Sequence, residues 1–88
     1  MWELTPALRH CIGRIPAKPL RTRITSVCLN GGVLTLDALY ENLVLDPVRF
    51  WCRRNAGMVS LNAGRAVFGI PPLTLTDVLR RRREQEQE

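Results

Sequence analysis

A single histidine, His10, stands in the chain, and the three cysteines, Cys11, Cys28 and Cys52, lie far apart with no C-x-x-C among them. Such spacing supplies neither paired zinc ligands nor a disulfide framework. Each cysteine has apolar neighbours, so reduced core thiols are expected, with no metal and no cofactor. No carboxylates are paired at a useful spacing, no glycine-rich loop is shaped for a phosphate, and no nucleophile stands with a base. An enzyme is therefore not expected. No apolar run approaches the roughly 18–20 residues that a membrane span needs, so no membrane partner is expected. Trp2, Glu3 and Pro6 occupy the place of a charged n-region and an apolar h-region, which predicts no signal peptide and a cytoplasmic location. No internal repeat is visible.

Lysine is nearly missing as well: 12 of the 13 basic residues are arginine, and the formal net charge is +5. Arginine is always charged and offers a planar fork suited to phosphate and guanine. A basic small protein often binds nucleic acid, although +5 also lies within the ordinary range for a soluble domain. The 88 residues make one domain at most, with 45% apolar residues to build its core.

Thr5-Pro6 opens a short helix with an N-cap and a proline at the first helical position, and Gly13 ends it. Arg14 to Pro19 reads as an extended linker. From Leu20 to Leu29 two readings compete. Leu20, Ile24, Val27 and Cys28 fit a helical stripe. Thr22, Ile24, Thr25 and Val27 are β-branched, and Asn30-Gly31 is a hairpin signal toward Val33–Thr35. The strand over 23–29 is slightly favoured.

Thr35 caps a helix over Leu36–Leu43, with Leu36, Leu39, Tyr40 and Leu43 as its buried stripe. Val44-Leu45 forms the turn. Asp46-Pro47 starts a second helix that runs to about Asn55 and stops at Gly57. Met58–Leu61 and Arg65–Ile70 alternate around Asn62-Ala63-Gly64, which predicts a hairpin. Thr74 and Asp77 form a capping box for a last helix that ends in Arg80-Arg81-Arg82-Arg83. The polar tail from Glu84 is expected to fray.

The second helix carries the chemistry. Arg49 and Arg53 stand one turn apart with Arg54 beside them, and their mutual repulsion is relieved when phosphates or base edges neutralise them. A solvated helix face is the plain alternative. Asn62 and Arg65 lie at the hairpin tip, within reach of a minor groove or a backbone.

Leu34-Thr35, Asp46-Pro47, Trp51, Arg53-Arg54, Gly64-Arg65, Phe68 and Ile70-Pro71 together resemble the winged helix-turn-helix of phage excisionases and the related mercury-regulator-type domains. The resemblance covers about half the chain. Phe50 stands where that family has a hydroxylic or basic residue. The resemblance implies an α+β fold: a small winged helix-turn-helix with a two-stranded wing over residues 33–79. Residues 1–32 have no counterpart in that family and are expected either to pack on the domain as an N-terminal extension, an extra strand and helix, or to form a partner-binding arm; residues 80–88 make a charged tail. The resemblance also implies an excisionase-like protein or phage transcriptional regulator that binds and bends double-stranded DNA cooperatively. An integrase and self-association on DNA would be its partners. The expected DNA contacts are Arg49, Phe50, Arg53, Arg54, Asn62 and Arg65, with Arg80, Arg81, Arg82 and Arg83 following phosphates, contacting a partner, or pairing with Glu84 and Glu86 in a solvated tail. The rival expectation is a small phage-type protein that binds and inhibits another protein, since fold does not fix function.

Overall fold

The computed structural model describes residues 3–54 and 56–87. Among them there is no strand: six α-helices carry the chain. They are α1 (Pro6–Gly13), α2 (Lys18–Gly31), α3 (Leu36–Tyr40), α4 (Pro47–Trp51), α5 (Met58–Val67) and α6 (Leu75–Glu86), and α3 runs straight on into a π-helical turn, Glu41–Leu45. The fold is all-α, which corrects the α+β winged expectation in two places.

The first is the segment 23–29. Leu20, Ile24, Val27 and Cys28 recur at helical spacing, and the last three are buried. Packing of that stripe against α1 and α5 outweighs the β-preference of the branched residues. Thr25 accommodates its hydroxyl by donating to the Arg21 carbonyl one turn back, at 2.8 Å. Asn30-Gly31-Gly32 is a helix end and not a hairpin: Gly32 sits at φ 71, and the Val33 N–H reaches back to the Cys28 carbonyl at 2.8 Å. Lys18 and Pro19 belong to this helix and not to a linker.

The second is the wing. Met58–Val67 is one helix, and Asn62-Ala63-Gly64 lies inside it. Leu61, Gly64 and Arg65, at i, i+3 and i+4, form its buried face. Val59 points outward, 68% exposed. The chain leaves α5 through Gly69 at φ 72, and Pro71-Pro72 prevents continuation.

Gly64 is where α5 meets the π-helical turn. A Cβ there would lie 2.6 Å from Leu43 Cδ1 and 3.1 Å from Cδ2, and Leu43 is fully buried. Gly64→Ala is therefore expected to destabilise by about 1–2 kcal/mol despite alanine's better helix propensity. Gly13→Ala, which meets nothing within 4 Å, should be neutral or stabilising. Urea unfolding of the pair checks this.

The caps follow local chemistry. Thr5 accepts from the Leu8 N–H at 3.4 Å, and Thr35 from the Ala38 N–H at 3.1 Å. Thr74 and Asp77 form the reciprocal capping box of α6. That backbone bond is also the first cause that holds the Asp77 carboxyl below its usual range. Asp46 precedes α4 but makes no side-chain cap; its carboxylate accepts from Gln85 Nε2 of α6 at 2.8 Å.

One core joins these pieces. Leu8, Ile12, Ile24 and Val27 from the first two helices lie in the same cluster as Leu39, Leu43, Phe50, Leu61 and Val78. Cys11 and Cys28 are buried within it, and burial pushes the Cys28 thiol up to about 11. Cys52 is exposed. No helix among the described residues is long and apolar enough to cross a membrane.

Candidate nucleic-acid interface

The helix expected from Pro47 to Asn55 ends at Trp51, and Asn55 lies outside the described residues. Five residues hold too little length to lie along a groove. The expected contact residues consequently separate.

Phe50 is fully buried in the core, which corrects its expected place on a DNA-facing surface. Arg65 is 5% exposed, and there is no wing tip for it to occupy. Its Nε donates to the Pro71 carbonyl at 2.9 Å and its Nη1 to the Leu43 carbonyl at 2.7 Å. Burial, helped by the nearby charge of Arg81, lowers its pKa. Asn62 is bound to the backbone of Leu73: its Nδ2 donates to the carbonyl and its Oδ1 accepts from the N–H, both at 2.8 Å. These three side chains brace the fold.

Arg53 does both kinds of work. Its Nε donates to Asn42 Oδ1 at 2.9 Å and its Nη1 to the Gly31 carbonyl at 3.2 Å, which ties the end of α2 to the π-helical turn. It is half-buried and borders a shallow concavity. Arg49 and Arg54 are exposed. On α6, Arg80 pairs with Asp77 at 2.9 Å and Arg82 with Glu86 at 3.2 Å. Arg82 also lies 6.0 Å from the centre of the Trp51 ring. Arg81 is half-buried and Arg83 exposed. Arg80 and Arg82 thus have partners on their own helix, and both pairs lie largely in solvent, so each contributes little to stability.

What the fold does bring together is α2 and the connection from α4 to α5. An open groove of about 740 Å³ is lined by Lys18, Pro19, Thr22, Arg23, Ser26 and Ala56. A smaller concavity of about 190 Å³ follows along the same two elements, lined by Val27, Asn30, Gly31, Arg53 and Arg54. Among the described residues neither lining includes a carboxylate. Lys18, Arg23 and Arg54 make no hydrogen bond or ion pair among the described residues, whereas Arg21 is engaged with the Ile15 carbonyl at 2.6 Å. Four cations with hydroxyl and amide donors between them form a track that attracts polyanions.

Lys18, Thr22, Arg23, Ser26 and Asn30 are not among the contact residues expected from the sequence. A signal for them exists. From Leu4 to Leu36 the chain has five cations and no carboxylate, and from Pro47 to Thr76 it has four cations and none. The fold sets these two acid-free stretches side by side through α2 and α5. Compared with known proteins, the chain matches no family model, no curated protein and no solved structure.

Proposed function

We propose that this protein binds nucleic acid by contacts to the phosphate backbone, through α2 and the α4–α5 connection. The observation that carries the reading is the acid-free track on which Lys18, Arg23 and Arg54 stand exposed and unpartnered among the described residues. Cations held together in water repel one another, and a polyanion replaces that repulsion with attraction while releasing its counterions. A helix-and-wing mode plays no part in this reading, because α5 occupies the place of the wing.

Charge reversal tests it. Arg23→Glu combined with Arg54→Glu is expected to weaken binding at least about tenfold and to flatten the dependence on salt by roughly 0.9 per lost phosphate contact. Arg9→Glu with Arg14→Glu makes the same change in net charge on exposed residues outside the track. That control should leave affinity within about threefold. Equal losses from both double variants, measured by fluorescence anisotropy across a salt series, would show that net charge alone attracts the polyanion and that the track has no special role.

A further inference from the structure

We infer that the nucleic acid taken by this track is double-stranded, held along one strand's backbone by the exposed side of α2 and bound with little regard to base sequence. The inference rests on the reading above and names its substrate class.

Lys18, Thr22 and Ser26 recur at i, i+4 and i+8, so they form one row, with Arg23 and Asn30 beside it. All five are exposed. At 1.5 Å per residue, Lys18 to Asn30 spans about 18 Å. Each of the five can donate a hydrogen bond, and none carries a negative charge. A straight helix offers these donors at fixed intervals. That regularity suits a duplex, whose stacked base pairs hold the phosphates of each strand at a fixed repeat that a row about 18 Å long can follow over several residues. A flexible single strand has no fixed spacing to match.

Aromatic placement argues the same way. Proteins that hold single strands stack bases on exposed rings. Among the described residues no aromatic side chain lines either concavity. Phe50 is buried in the core and Trp51 is half-buried near Arg82; Tyr40, exposed at 39% and not buried with its expected helical stripe, packs edge-on against Phe68 with centroids 5.3 Å apart and lies outside both concavities. Besides its two cations the groove presents Pro19, Thr22, Ser26 and Ala56, whose side chains are too short to reach base edges from a backbone-bound position. Phosphate contacts of this kind position a duplex without specifying its sequence.

Competition by anisotropy on the full chain decides the matter. The probes are a mixed-sequence DNA duplex of about 20 base pairs, each of its separated strands, an oligo-dT of the same length, and the matching RNA duplex. The expected result is at least about tenfold tighter binding of duplex than of any single strand at equal salt, with unrelated duplexes within about threefold of one another. Equal affinity for the two duplexes assigns the site to phosphate charge. A DNA preference assigns it to the B-form backbone; both outcomes support the inference. Single strands bound as tightly as duplex overturn it and leave nucleic-acid binding standing. One duplex sequence preferred more than about tenfold overturns the sequence-tolerant mode. Absence of binding to every probe overturns the proposed function itself. Arg23→Glu with Arg54→Glu must weaken the duplex complex in the same assay, and circular dichroism of that variant confirms that surface charge reversal leaves the helices folded.

Discussion

Phe50→Ala is expected to remove about 3–5 kcal/mol of stability, the range for truncating a buried aromatic. Phe50 is the largest fully buried side chain among the described residues, and the surrounding cluster draws on α1, α2, α4, α5 and α6. A domain of 88 residues commands on the order of 5–10 kcal/mol in total, so the variant should be partly unfolded at body temperature. Phe50→Leu keeps most of the volume and should lose only about 1 kcal/mol. Chemical denaturation gives both values. The measurement also separates two locations for this residue. A ring that touched DNA would leave the unfolding midpoint unchanged and weaken binding; a ring in the core shifts the midpoint and leaves the affinity of the remaining folded fraction intact.

The features that were legible in the chain are those settled within one turn. Thr5-Pro6, Thr35, and Thr74 with Asp77 mark helix starts because a side-chain oxygen meets an N–H three residues on, whatever surrounds it. What misled was chemistry completed at a distance. Asn62-Ala63-Gly64 has the composition of a turn. Yet Asn62 is satisfied by Leu73 eleven residues away, and Gly64 is small because Leu43 packs there. The buried face of α5 contains a glycine and an arginine beside Leu61, so its helical period is invisible to any count of apolar residues. Asn30-Gly31 is equally ambiguous between a hairpin and a helix end until α2 finds α1 and α5 to pack against. The candidate site divides in the same way. The arginine cluster at 53–54 marks one wall of the basic track. The other wall was hidden because its residues lie where a linker and a strand were expected. Sequence reports an arginine's charge but not its burial: Arg21, Arg53 and Arg65 hold backbone carbonyls, while Arg23 and Arg54 face solvent.

Arg65 turns that distinction into a second large expected effect. Its guanidinium joins α5 to the Leu43 carbonyl of the π-helical turn and to the Pro71 carbonyl of the segment that leads to α6. Arg65→Ala would deprive two carbonyls of a charged donor and leave a void between three segments. A loss of about 3 kcal/mol is expected. Arg65→Lys should recover less than half of it, since one ammonium lacks the planar fork that serves both carbonyls. Arg65→Met isolates a different quantity. It keeps the stem and removes a buried cation that has no carboxylate partner among the described residues and lies near the charge of Arg81. Desolvation of that cation opposes folding. Methionine should therefore stand above alanine in stability, by about 1 kcal/mol, although it restores neither hydrogen bond. In all three variants the affinity of the folded protein for duplex should stay within about threefold of the parent, because Arg65 is buried and lines neither concavity of the basic track. A variant at this position that unfolds like the parent yet binds nucleic acid poorly would place the guanidinium at the surface. It would then restore the wing-like role that its burial here argues against.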